Sequence, residues 1–344
     1  MRPINNRAPW ITGAVLVMGM AALPAAPGEF RFQDADRVAL VGNTVVERAQ
    51  RFGHLETMLA VGAGEGVPNV TFRNLGWSGD SVFGDARSYF GKPKEGRERL
   101  AKMMTEWKPT VLVACYGTGA AMSEDRGWTI EPGAEARSRA GEAESLALFI
   151  EAYGNLLDLM EDAADGTVRE TILVAPPPLE NLGAPWPDQG ARNARLAEYR
   201  DAIRALAQRR KARFVDLYGA MGGEGLVAGK RTEAPLTENG VHYGDAGYTV
   251  IARELAAGLG LELPEGLSAN DPAVVAMRAA VVKKNRLFFH RWRPVNETYL
   301  FLFRKHEQGQ NAGEIPRFDP LIKKEEERIA GLRKAVFESS RKEN

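Results

Sequence analysis

A single cysteine in 344 residues excludes an internal disulfide, so no covalent staple holds this chain. Cys115 lies in the apolar run VLVACYG, where a buried structural thiol is expected. Net charge is also missing. Forty-five Lys and Arg balance 45 Asp and Glu, which leaves no overall field to draw nucleic acid or an anionic membrane surface. Histidine is scarce, and His54, His242, His290 and His306 do not fall at metal-ligand spacing, so no metal is expected. Neither a P-loop nor a dinucleotide fingerprint occurs, and no cofactor is expected. Internal repeats and low-complexity linkers are absent as well.

The chain does contain enough apolar residues for a core: 44% are apolar and 26% charged, the balance of a soluble globular protein. Residues 1–26 combine two arginines, an apolar run over residues 11–22 and small residues near Ala25 and Ala26. That order reads as a secretory signal peptide. The run falls short of the ~20 residues a membrane span requires. The expected mature protein is exported, periplasmic or secreted, with no stable membrane span after cleavage.

Five β-rich runs follow: VALV (38–41), VTFRN (70–74), TVLVAC (110–115), TILVA (171–175) and RFVDL (213–217). Between them lie segments with apolar residues at helical spacing, among them RERLAKMMTEW and ARLAEYRDAIRALAQRRKA, and YTVIARELAAGL closes the set. Strands alternating with helices predict an α/β fold: a flavodoxin-like, three-layer α/β/α sandwich around a five-stranded parallel sheet, over residues 30–262. Ligands of such sheets bind beyond the carboxyl ends of the strands. From residue 263 to 344 the composition changes. A helical segment leads into the aromatic and basic run FFHRWRPVNETYLFLFRKHEQGQN and then a charged helix, LIKKEEERIAGLRKAVFESS. Aromatics are too frequent there for disorder, so an aromatic-rich helical extension packed on the main domain is expected.

The most specific segment is LTENGVHYGDAGY, residues 236–248. It resembles the last block of the SGNH or GDSL-type hydrolases, in which an Asp-x-x-His pair supplies the acid and base of a Ser-His-Asp triad. His242 matches the histidine and Asn239 stands at the aspartate. The resemblance places the nucleophile after the first strand, where the chain reads Gly42-Asn43-Thr44 instead of Gly-Asp-Ser. A nucleophile at a strand-to-helix turn is exposed, with its own N–H aimed at the oxyanion. Thr44 fits that position. Ser81, in the tempting stretch Gly79-Asp80-Ser81, follows its strand too late and precedes no helical pattern, so it reads as a decoy. The resemblance implies Gly76, in NLGWSGD, as a second oxyanion donor alongside the Thr44 amide. Glycine there would let the backbone approach substrate closely. The third family block is Gly-x-Asn, and this chain has Gly117-Thr118-Gly119, so Gly119 replaces the donor asparagine. The whole is similar to a divergent group of exported bacterial SGNH-type sequences with GNT in place of the GDS block.

Each departure has a cost. An absent oxyanion donor costs ~10²–10³ in rate, and an amide in place of the triad carboxylate ~10⁴. Thr118, Glu238 or Asp245 would have to compensate. Two functions follow. The first is an exported ester hydrolase acting on a small-molecule or carbohydrate ester, with Thr44 attacking, His242 as base then acid, and Asn239 orienting it. The second is a catalytically impaired protein of the same fold that binds carbohydrate. Asn43, Arg291, Trp292 and Arg293 are the candidate substrate contacts, since aromatic faces and fork-shaped donors suit sugars or carboxylates. Alternatively, the tail aromatics pack the extension onto the main domain.

Overall fold

A computed structural model describes residues 28–89, 91–122, 142–227 and 234–343. The expected signal segment lies outside the described residues. Five strands, β1 (Arg37–Gly42), β2 (Thr71–Asn74), β3 (Val111–Cys115), β4 (Glu170–Ala175) and β5 (Arg213–Asp216), form one parallel sheet in the order β2-β1-β3-β4-β5. All five expected runs are strands, with ends shifted by a residue at most. Their near-continuous burial explains the unbroken apolar runs, because both faces of the sheet are covered.

Alternate side chains of each strand feed two cores. One core packs Ala39, Val41, Leu112, Ala114 and Leu173 against α3 (Pro93–Trp107), α5 (Glu142–Ala163) and α6 (Gly190–Arg210). The other packs Val38, Leu40, Val111, Val113 and Val174 against α1 (Thr44–Phe52), α2 (His54–Gly62) and α9 (Asp245–Gly258). The three-layer sandwich is therefore present. Cys115 is buried in the second core, and burial pushes its thiol up to about 12, so it stays a thiol at neutral pH.

The extension closes an open side of this sandwich. Helix α10 (Pro272–Trp292) contributes Val274 and Met277 to one core and Phe288 and Trp292 to the other, so it wraps the edge strand β2. An uncovered edge is a template for pairing with another chain, and here a helix covers it. The Lys284 ammonium donates to the β2 carbonyl of Phe72 at 2.9 Å and to Glu56 of α2 at 2.8 Å, and both partners are fully buried. Helix α13 (Phe318–Glu343) lies against α10 and adds Ile322 and Val336 to the two cores. Among the described residues no helix is long and apolar enough to cross a membrane.

In strand order β2-β1-β3, the chain leaves β1 toward one side of the sheet and β3 toward the other. A crevice opens at such a switch point beyond the carboxyl ends. The residues after β1, β2 and β3 and the loop before α9 meet there.

Candidate active site

Asn43 follows β1 and caps α1, its Oδ1 accepting from the Val45 N–H at 3.3 Å. A short polar side chain at this position satisfies one of the orphan donors of the first turn. Thr44 is the first residue of α1, so its N–H has no intrahelical acceptor and points out of the helix start. Its Oγ1 accepts from the Gly79 N–H at 3.3 Å. A cavity of about 240 Å³ lies over this pair. It is lined by Asn43, Thr44, Arg48, Gly79, Thr118, Gly119 and His242, with Val45, Val82, Met122 and Phe149 as its apolar wall.

Gly76 is not among the residues lining this cavity, which corrects the expected oxyanion donor. Its N–H donates to the Asn74 side chain at 2.9 Å, and a Cβ on it would come within 2.3 Å of the Glu47 amide nitrogen. Glycine is required there so that β2 can end tightly against α1. The donor facing Thr44 is Gly79, at φ +79, which sequence reasoning passed over. Its signal was the Gly-Asp pair itself, a turn whose glycine adopts a left-handed conformation.

Ser81 lines the cavity, but its hydroxyl is engaged: Oγ donates to Asp85 at 2.6 Å and accepts from the Phe83 N–H at 3.1 Å. Below it, Asp80 accepts from Arg87 Nε at 2.5 Å and from the Tyr116 hydroxyl at 3.0 Å. Asp80 and Arg87 are both buried, and this ion pair braces the turn that carries Gly79. Gly119 faces open space, with nothing within 4 Å of where a Cβ would sit, and beside it the Thr118 hydroxyl is buried without a partner.

His242 is delivered by a tight hairpin. The Glu238 N–H donates to the His242 carbonyl at 2.8 Å, Thr237 bridges Tyr243, and Gly240 turns at φ +83. The buried carboxylate of Glu180 accepts from the N–H groups of Leu236 at 3.0 Å and Thr237 at 2.6 Å, anchoring the hairpin to the segment after β4. Nothing in the sequence flagged Glu180, because its partners are main-chain groups of a distant loop.

Asn239 decides the state of His242. Its Oδ1 accepts from the Val241 N–H at 3.1 Å and the His242 N–H at 2.9 Å. These two donors fix the amide orientation and turn its Nδ2 donor onto His242 Nδ1, 3.2 Å away. Nδ1 is therefore an acceptor, and the proton of the neutral ring resides on Nε2. That tautomer is opposite to the one a general base needs. Glu238 and Asp245 do not compensate by hydrogen bonding. Glu238 pairs with Arg48 at 2.8 Å, and Asp245 pairs with His54 at 2.9 Å. Burial, reinforced by Arg48 and opposed by Glu238, lowers the His242 pKa below the ordinary 6.5. The neutral ring thus persists to lower pH than usual. Any activity requiring neutral His242 is expected to hold down to a midpoint below 6.5 and fall beneath it. An acid limb centred above 6.5 in a kcat/KM profile would contradict this.

The tail residues expected to touch substrate do not line the cavity. Arg291 pairs with Asp319 at 2.8 Å, Trp292 is buried against Phe288 and Trp77, and Arg293 bonds Glu47 at 3.0 Å. Trp292 and Arg293 are consumed in joining the extension to the main domain, and Arg291 in joining α10 to α13. Among the described residues no group of His, Cys, Asp and Glu side chains is arranged to hold a metal ion.

The sequence profile of the GDSL-like lipase/acylhydrolase family matches residues 30–250, well over half of the chain. The chain belongs to the GDSL-like lipase/acylhydrolase family. As a member it is an esterase-type hydrolase, and the matched region contains the sheet, Thr44, Gly79 and His242 while ending before α10. Among solved structures it is similar to BT4096, a gut microbial diltiazem-metabolizing enzyme, at 11% identity and TM-score 0.57, covering 92% of this chain and 96% of that one. It is also similar to Axe2, an acetylxylan esterase from Geobacillus stearothermophilus, at 16% identity and TM-score 0.46, covering 68% of this chain and 98% of that one. No curated protein matches this acylhydrolase in sequence.

Proposed function

We propose that this acylhydrolase is an exported hydrolase of small acyl esters, carbohydrate acetyl esters included, working slowly through Thr44 and His242. The observation that carries the reading is the approach of the Gly79 N–H to the Thr44 hydroxyl at a helix N-terminus, in a cavity that His242 also lines. Thr44 Oγ1 attacks the ester carbonyl carbon while its proton passes to Nε2 of His242. The carbonyl oxygen takes up the negative charge and receives the N–H groups of Thr44 and Gly79. Collapse expels the alcohol, which takes the proton from His242, and water then releases the acyl group by the same steps. A cavity of about 240 Å³ with an apolar wall suits an acyl group of a few carbons.

The slow step is set by Asn239. Before Nε2 can accept a proton the ring must move its own to Nδ1, where the Asn239 amide presents a second donor. The same observation supports an alternative, a catalytically impaired protein that binds carbohydrate or another small ligand in this cavity. Substitution at Thr44 separates the two. Thr44→Ala is expected to reduce p-nitrophenyl acetate turnover to that of buffer with inactive protein, and Thr44→Ser to retain it. Turnover unchanged in Thr44→Ala excludes Thr44 as nucleophile.

A further inference from the structure

We propose that Arg293, in the C-terminal extension, is a positioning residue for this site. It holds the Trp77–Gly79 loop so that the Gly79 N–H faces Thr44. The inference rests on the reading of Thr44 and Gly79 as the reacting edge of the cavity.

Five contacts converge on this short loop. The Arg293 guanidinium stacks over the Trp77 ring at 3.5 Å from its centroid and donates to Glu47 Oε2 at 3.0 Å. That same carboxylate oxygen accepts the Ser78 N–H, the peptide between Trp77 and Gly79. The Trp292 ring packs edge-on against Trp77 at 5.7 Å. From the other side the Tyr89 ring meets Trp77 at 5.3 Å, and its hydroxyl donates to Glu297 of the extension at 2.5 Å. At its start the loop is tied to β1 by Trp77 N–H donating to the Gly42 carbonyl at 2.9 Å.

Glu47 lies one turn beyond Thr44 on α1, so the ion pair locks the loop to the helix that presents the nucleophile. A planar guanidinium stacks on an indole and donates to a carboxylate at once, which an ammonium does poorly. The Glu47 and Arg293 side chains are 10% and 20% exposed, so solvent screens their contact only partly. The family match covers residues 30–250, so Glu47 and Trp77 lie within the matched region and Arg293 reaches them from beyond it. The arginine expected from sequence to bind substrate instead aims the backbone donor.

The test uses the full-length chain carrying Arg293→Ala, Arg293→Lys, Glu47→Gln and the pair Glu47→Gln with Arg293→Ala. Arg317→Ala, which breaks an exposed pair with Glu314 elsewhere in the extension, is the control. Amide hydrogen exchange over residues 75–85 is read alongside kcat and KM for p-nitrophenyl acetate. Arg293→Ala is expected to speed exchange in that segment by about tenfold while β1 and β3 keep their protection. It should lower kcat by ~10–100-fold, the scale of a displaced catalytic group, with KM within about threefold. Arg293→Lys recovers part of both losses. In the Glu47→Gln background the further loss from Arg293→Ala is smaller than in the wild-type chain, because the shared ion pair is already weakened and only the stack on Trp77 is left to lose. Arg317→Ala behaves as wild type. Wild-type exchange and kcat in Arg293→Ala would overturn the proposal, as would a loss of protection spread evenly over the sheet. Should the wild-type chain show no Thr44-dependent turnover, the esterase reading fails and the exchange result alone decides the clamp.

Discussion

Asn239→Asp is expected to raise ester turnover by ~10²–10⁴, the reverse of the loss seen when a triad aspartate is made an amide. The backbone needs no adjustment. One carboxylate oxygen accepts the Val241 and His242 N–H groups as Oδ1 does now, and the other replaces a donor with an acceptor toward Nδ1. The ring proton then resides on Nδ1, and Nε2 offers its lone pair toward the cavity. A carboxylate also favours the imidazolium, so the His242 pKa rises from its lowered position and the acid limb of the rate profile moves upward. A rise in kcat together with that shift is the expected signature, measured with p-nitrophenyl acetate across the acid range. An unchanged or lower kcat in a folded variant would show that His242 is not the base.

Lys284→Met is expected to destabilise the fold by about 3–5 kcal/mol, because it leaves the Glu56 carboxylate buried without its partner. Burial pushes Glu56 upward and Lys284 downward, each opposed by attraction to the other. Removing the ammonium removes the main opposition on Glu56. The same substitution strips a donor from the Phe72 carbonyl on the β2 edge, so α10 loses its central anchor. Urea unfolding measures the change. Glu56→Leu added to Lys284→Met should recover much of the loss, since an apolar pair of similar volume carries no stranded charge. A single-variant loss under about 1 kcal/mol would mean that water reaches this pair. Since α10 ends in Trp292 and Arg293, loosening it should also lower kcat, linking a buried charge far from the cavity to its chemistry.

The sheet was legible because its strands are covered on both faces. Runs such as TVLVAC and TILVA admit no polar interruption, and the helices between them carry apolar residues at helical spacing. His242 was legible because it stands in a loop with family-like neighbours at a carboxyl edge. Thr44 was placed by its position between a strand and a helix. The glycine assignment failed for a physical reason. Gly76 and Gly79 are both required by the backbone, one by contact with Glu47 and the other by a positive φ, and composition does not say which N–H faces Thr44. The tail was left between two readings for a related reason. Trp292 and Arg293 have faces suited to a sugar, but which surface they meet depends on α10 crossing the β2 edge, a contact between residues far apart in the chain. Asn239 could be read as a substitution, whereas the direction of its amide needed the two N–H groups that pin it.

Whether Thr44 is a nucleophile served by His242 is read by mapping the adduct of a hydroxyl-directed fluorophosphonate on the full-length protein by mass spectrometry. An adduct is expected on Thr44, forming faster in Asn239→Asp and lost in His242→Ala. An adduct on Ser81, or none on Thr44 even in Asn239→Asp while the probe labels a known hydrolase, would contradict it.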